Sequence, residues 1–445
     1  MIEVIAHGLV QRADVPIPAV AFAWSAAAVL VISFVGLAAL WPTPRLEQIE
    51  WRPVPGGAAL GGSGVQWVCG AVGFFFLAVI VWSGLFGAQE PLINIAPTLV
   101  YVVMWVGFVF ASLLFGDVFR AFNPWRFVGR LCRWEGSRPY PDRLGRYPAA
   151  AALLFFTWTE LVGRWGDTPD RVAVAALVYS ALTWLGMWRY GTEAWADRAE
   201  GFGVYFNLFS RISVFETRDG VVGRRPLLGG LPRLEPLPGT VLLLSVMIGT
   251  VTFDGLSQGA AWTEDIGVWL HDFWDAVGFS SNTAVDLAGT TGLIGGVLLI
   301  GGFYRMGIRG AASVGGGFTS PELRRTFVHS LVPIALVYAM AHYFSSLIYG
   351  SAKLSFLVSD PLGHGWDLFG TASSGVNPNL SQNAIWYCQI AFVVCGHVGA
   401  LVLAHDRALA VYKDAQEAVR SQYWMLSIMV GFTSLALWLL SQANA

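Results

Sequence analysis

Seven histidines and a few carboxylates must carry any acid–base or metal chemistry in this 445-residue chain. His342 and His397 lie deep in apolar runs, as do Glu160 and Asp254, while His329, His405 and Asp406 sit at the edges of such runs. An ionisable group inside a bilayer is costly to desolvate, so each is a functional-site candidate by default. Three chemistries suit the set. Imidazole and carboxylate together ligate copper, zinc or iron. Histidines on facing helices hold a b-type haem. Alternating His and carboxylate relays protons or passes cations. Beside these stands the plainer expectation that each group hydrogen-bonds a neighbour inside a helical bundle. The loop histidines His7, His271 and His364 are weak signals one by one, although with Asp272 they offer the makings of a surface metal site.

The composition says what must position these side chains. The chain is 55% apolar, 14% aromatic and 13% charged, with a mean hydropathy of +0.57. Soluble proteins carry about 25% charged residues, so this chain has too few charges for a water-facing surface. A soluble enzyme, a nucleic-acid-binding domain and a disordered chain are all disfavoured, and the pattern is that of a polytopic, all-α membrane protein. Ten runs are long enough to span a bilayer: 17–41, 64–87, 93–115, 148–165, 171–189, 239–257, 286–304, 328–349, 384–405 and 423–441. No loop is long enough for a separate soluble domain, and neither repeats nor low-complexity tails appear.

Charge sets the direction of the spans. The net charge is only −2, yet 23 of the 27 Lys and Arg fall in, or at the edge of, the five loops that alternation places on one side. Arg12, Arg171 and Lys353 lie opposite, and Arg164 sits at a helix end. The positive-inside rule then puts both termini outside the cytoplasm. The outer segment 258–285 has four acids and no Lys or Arg, and its Trp262, Trp269, Leu270, Phe273 and Trp274 predict an amphipathic interfacial piece. Six glycines in the seventh span, from Gly289 to Gly302, allow close approach of another helix.

With this topology, Glu160, Asp254 and His342 come about 12–15 residues after their inner helix starts, or roughly 18–23 Å from the cytoplasmic end. They form one expected layer. The eighth and ninth spans run antiparallel, which makes a ladder of His342, then His397, then His329 with His405 and Asp406. His397 and His405 share a broad helix face. His329 and His342 are about 220° apart on an ideal helix, which suits two stacked haems less well than a metal or a proton path. The turn Gly116–Arg126, GDVFRAFNPWR, carries Asp117, Arg120 and Asn123. Pro124 keeps Asn123 out of the helical region. The expectation there is a membrane-surface anchor with an internal Asp–Arg pair, or alternatively a cytoplasmic gate. The four cysteines, Cys69, Cys132, Cys388 and Cys395, read as packing residues. P-loop, G-x-S-x-G and H-E-x-x-H motifs are absent.

AHGLVQRADVPIP at 6–18, NIAPTLVYVVMW at 94–105, GDVFRAFNPWR at 116–126, HSLVPIALVYAMAHYFS at 329–345 and GHVGALVLAHDRAL at 396–409 resemble a family of uncharacterised multi-span actinobacterial membrane proteins. Some of that family are labelled fenitrothion hydrolase. The resemblance covers nearly the whole chain. It implies shared architecture in a bacterial plasma membrane and, through the label, hydrolysis of organophosphates, which a metal-activated water would serve. In such relatives AHG often follows a longer leader. Cleavage before His7 would leave an N-terminal amine and imidazole suited to copper, although only six residues precede His7 here.

The leading expectation is a ten-helix bundle with a transition metal held by His342, His397, His329, His405 and Asp406, with Glu160 or Asp254 as base or ligand. A transporter or proton pathway through the same residues is the second reading, and a non-catalytic subunit of a membrane complex the third. The expected partners are the lipid bilayer, a small molecule or ion, and other membrane subunits, with no nucleic acid.

Overall fold

Long apolar runs give the backbone no hydrogen-bond partner but itself, and they wind into helices. The computed structural model describes residues 19–163, 166–376, 380–412 and 414–442. The expectations attached to His7, Arg12 and Arg164 lie outside the described residues. Along the chain the principal helices are α1 (Ala19–Leu40), α2 (Ser63–Phe86), α3 (Ile95–Phe115), α4 (Tyr147–Leu161), α5 (Pro169–Tyr190), α6 (Gly201–Ser210), α7 (Thr240–Ser257), α8 (Gly267–Ala276), α9 (Ser281–Ser313), α10 (Ser320–Leu357), α11 (Gln382–Val411) and α12 (Ala415–Gln442).

A helix stands at each of the ten positions read from the sequence. Among the described residues seven of them, α2, α3, α5, α7, α9, α10 and α11, are long and apolar enough to cross a membrane. The protein is therefore an all-helical integral membrane protein with seven candidate spans rather than an established ten. Helix α4 shows why the count differs. Its 15 residues measure about 22 Å, short of a hydrocarbon core of about 30 Å. Large apolar side chains point outward along several spans, such as Phe75 on α2 and Leu298 on α9, as lipid contact requires.

The chain divides into two compact units. One is assembled from the residues through Ile49, 228–342 and 382 onward. At its core is α7, buried almost continuously from Leu243 to Gly255. Helix α9 lies directly against it: a Cβ on Gly249 would come within 2.6 Å of the Val297 Cα, and one on Gly296 within 2.7 Å of the Gly249 carbonyl oxygen. The close approach expected of the glycine-rich seventh span is made at Gly292 and Gly296, while Gly295 and Gly302 meet open space. Helix α1 packs on α11 and α12. Residues 267–276 form the amphipathic α8, with Leu270 buried and Trp269 and Phe273 exposed.

The other unit comprises residues 50–227 and 343–381. Asn94 ties its first two spans together. The amide of Asn94 donates to Ser83 O and Ala88 O, both at 2.8 Å, while its side-chain oxygen accepts from Ala96 N at 2.9 Å. Within α3, residues 98–107 wind as a π-helix, and Gly116, at φ +83°, ends the span. Helix α6 is buried at all but Gly203 and Asn207, which are partly exposed, and the ring of Tyr205 stacks on Trp105 at 4.6 Å. A three-stranded antiparallel sheet in the order β1-β3-β2 joins β1 (Arg52–Pro53), β2 (Phe215–Arg218) and β3 (Val221–Arg224). The positive φ of Asp219 and Gly220 closes the β2–β3 hairpin. The sequence reading took 42–63 and 190–238 as loops. These strands and α6 correct it.

Candidate functional site

Asp254 lies near the end of α7 and His342 in the middle of α10. The His342 Nε2 stands 2.8 Å from the Asp254 Oδ2, with the side chains 11% and 3% exposed. The depth expected from residue counting put these two at one level, and the fold joins them. Glu160, expected in the same layer, is on α4 in the other unit.

Helices α10 and α11 pack antiparallel in a register marked by three neighbours. The Gln389 amide donates to Ala341 O at 2.8 Å. Gly396 lies against Val337, and Gly399 against Pro333. This register sets His397 about six or seven residues below His342, an axial step of about 10 Å, and His329 a similar step further. His397 is fully buried. Its Nδ1 lies 2.7 Å from Val393 O, which fixes the proton on Nδ1 and leaves a lone pair on Nε2. That Nε2 is buried without a hydrogen-bond partner among the described residues, and so is the Nε2 of His329. His329 sits in a 3₁₀ turn, Val328–Ser330, that interrupts α10 near its start.

The inner end of α11 has a different character. Asp406, 1% exposed, accepts from the Trp41 indole at 2.9 Å and from the backbone amides of Arg45 and Leu46 at 2.5 and 3.1 Å. Its carboxylate is the anchor of the turn after α1. His405 stands 3.1 Å from the Gln422 side-chain oxygen and 3.0 Å from Trp41 O. Arg407 reaches Glu47 at 3.2 Å and Pro232 O at 2.6 Å. Burial pushes the Glu47 carboxyl up; Arg407 opposes this and Asp406 adds to it. Both sides of His405 and three acceptor positions of Asp406 are taken up by protein. Among the described residues no three His, Cys, Asp or Glu side chains converge as a metal-binding group. The five ligands named from the sequence are thus spread over a paired site, two single histidines and an anchored inner end.

The 116–126 turn also departs from expectation. Asp117 and Arg120 do not pair with each other. Asp117 accepts from the Asn207 amide at 2.7 Å, and Arg120 pairs with Asp197 and, at 3.3 Å, with Glu193. Intervening Val118–Phe122 is helical and sends the two side chains to different partners. Asn123 caps the next helix through Arg126 N, at 2.9 Å, and donates to Glu200 at 2.8 Å. Arg126, nearly buried, also pairs with Glu193. Of the cysteines, Cys132 and Cys395 are exposed and not packed inside.

Glu200 was not singled out in the sequence. It is fully buried at the N-terminus of α6, where four donors converge on its carboxylate. Tyr179 hydroxyl and Phe202 N meet Oε1; Asn123 Nδ2 and Gly203 N meet Oε2. Burial pushes this carboxyl up, and its four hydrogen bonds pull it down. The available signal was an acid directly before an apolar run, as at a helix N-cap.

Comparison of the chain with protein-family models, with curated proteins and with solved structures returned no match. The functional reading rests on the geometry.

Proposed function

We propose that this membrane protein is a proton-coupled carrier or proton pathway in which Asp254 and His342 form the proton-binding site. The pairing of buried Asp254 with the largely covered His342 carries the proposal. With one proton shared between them the two groups are neutral overall, as aspartate with imidazolium or as carboxylic acid with imidazole. Losing that proton leaves one negative charge in a low-dielectric setting, so loading and release change the charge of the site by one. Such a change is what couples a membrane site to a gradient or to a cation. His397 and His329 supply further basic nitrogens along the same helix pair. Steps of about 10 Å exceed a direct proton transfer, which needs about 2.6–3.2 Å or one bridging water, so files of water would connect them. Metal-assisted hydrolysis, implied by the resemblance, needs ligands brought together, and the described residues favour pairs over such a cluster.

The test is proton flux into liposomes containing the purified protein, driven by a potassium diffusion potential and read with a trapped pH dye. Wild-type flux should exceed that of empty liposomes, and Asp254→Asn and His342→Gln should each abolish it. Flux unchanged in both variants, or no wild-type flux under either polarity of the potential, would overturn the reading.

A further inference from the structure

Helix α9 has 33 residues, a length of about 50 Å that overruns a hydrocarbon core of about 30 Å. One flank shows where it leaves the hydrocarbon. Ile294 and Leu298 are 38% and 68% exposed there, as lipid-facing side chains are. Arg305 and Arg309 follow on α9, both exposed and within about 20° of the line through Leu298. The stripe passes from hydrocarbon to two guanidinium groups over about 10–17 Å. Helix α12 runs antiparallel beside it, in a register set by three contacts. Phe303 meets Phe432 at 5.4 Å, a Cβ on Gly307 would lie 3.0 Å from Ile428 Cδ1, and Gly310 lies against Trp424. Trp424, 50% exposed, therefore stands beside Arg309, in the manner of an interfacial tryptophan. Arg420, also exposed, is one turn from Trp424 on α12, and the register sets it about 8 Å beyond Arg309 along the axis.

The protein itself does not use these charges. Among the described residues Arg305, Arg309 and Arg420 make no ion pair and no side-chain hydrogen bond, although Glu417 lies one turn from Arg420. Other acids at this end serve the backbone: Glu322 accepts from Thr319 N at 2.8 Å, and Asp414 from Gln416 N at 2.9 Å. Arg324 and Arg325 add to the positive field, because the Tyr304 hydroxyl holds Arg324 O at 2.8 Å. By contrast, Arg120, Arg126 and Arg130 of the other unit all pair with Glu193. We propose that Arg309 and Arg420, with Trp424 between them and Arg305 alongside, bind the phosphodiester of an anionic phospholipid whose acyl chains lie along Leu298 and Ile294. Guanidinium groups grip phosphate oxygens in pairs, and each arginine near an anionic bilayer surface strengthens attraction about fivefold. Free phosphate offers the same oxygens but nothing for the apolar part of the stripe. The site is about 20–26 Å along the bundle from Asp254 and does not depend on the proton-binding reading.

The experiment is native mass spectrometry of the delipidated full chain in a non-ionic detergent. It is titrated with dioleoylphosphatidylglycerol, with dioleoylphosphatidylcholine or with inorganic phosphate. The expected result is a first phosphatidylglycerol bound roughly tenfold or more tightly than phosphatidylcholine, with no displacement by phosphate at equal concentration. Arg309→Gln and Arg420→Gln should each lose about fivefold of the phosphatidylglycerol affinity, and together roughly twentyfold, with phosphatidylcholine binding unchanged. Arg138→Gln with Arg143→Gln, two exposed arginines of the other unit, removes the same charge elsewhere and should leave the first lipid bound as in wild type. Gel filtration shows that each variant remains folded. Equal affinity for the two lipids, or wild-type affinity in the Arg309 and Arg420 variants, would overturn the site. An equal loss in the Arg138 and Arg143 variant would also overturn it, by showing only a general attraction of charge. Displacement of the lipid by phosphate at equal concentration would overturn the phospholipid assignment.

Discussion

Replacing Asp406 by alanine removes the acceptor for three donors at once: the Trp41 indole and the amides of Arg45 and Leu46. A hydrogen bond to a charged group contributes about 1.5–3 kcal/mol, and a buried donor left unpaired costs about 1–3 kcal/mol. The three share one carboxylate, and the turn they fix is partly exposed. The sum is therefore less than additive, and a loss of about 3–5 kcal/mol is expected. Trp41→Phe deletes one of the three and should cost about 1–2 kcal/mol alone, and close to nothing in the Asp406→Ala background. Denaturant unfolding of the four proteins in detergent gives the cycle. Hydrogen exchange gives a local reading, because the Arg45 and Leu46 amides should exchange roughly tenfold faster or more without their acceptor. An Asp406→Ala protein within about 1 kcal/mol of wild type, with both amides still protected, would refute the claim that this carboxylate holds the turn.

Three further outcomes follow from the packing and the buried polar groups. Gly249→Leu puts a side chain where even a Cβ lies 2.6 Å from the Val297 Cα, and a loss of about 1–3 kcal/mol or more is expected in thermal unfolding; an unchanged midpoint would show that α7 and α9 are not in close contact. Glu200→Gln places an NH2 group against two donors and should cost about 1–3 kcal/mol near neutral pH. Burial raises the Glu200 pKa, so the folded chain keeps a proton just above the ordinary carboxylate range where the unfolded chain has lost it, and this group's stabilisation falls as pH rises through that window. A stability profile from about pH 4 to 7 should therefore be flatter in Glu200→Gln than in wild type, and parallel profiles would contradict the burial argument. Asn94→Ala removes three hydrogen bonds, one to Ser83 O on α2, one to Ala88 O in the connecting loop and the N-cap of α3, and should cost about 1–3 kcal/mol, read by the same unfolding assay; a neutral variant would mean that the link is made elsewhere.

Hydropathy located every long helix, because membrane burial leaves a signal at every residue of a span. Residue counting also placed Asp254 and His342 at one depth, since rise per residue is constant along both helices. Azimuth is harder to read. Nothing in a single sequence said that Asp254 faces α10, or that Asp406 turns to the 41–46 turn and away from the histidines. The Asp117–Arg120 pair was expected from proximity in sequence, but partners 73–90 residues away hold both side chains. Two short elements were passed over for opposite reasons. The hairpin was legible, with Asp219-Gly220 between two extended runs, but the surrounding arginines dominated the reading. Helix α6 has only ten residues and is too short to register as a span, so its burial, and with it the role of Glu200, depended on tertiary packing.

The interleaving of the two units has a consequence for biosynthesis. Helix α1 packs on α11 and α12, and Asp406 holds the turn that follows α1. Helix α1 therefore waits for α11 and α12, which are made some 360 residues after it. Throughout that interval its partner face is open to lipid, insertase or chaperone. The segment 50–227 can assemble most of its own unit meanwhile, although it still lacks 343–381. A chain that stops before α11 leaves both units unfinished, so surveillance for truncated product has an exposed α1 to detect.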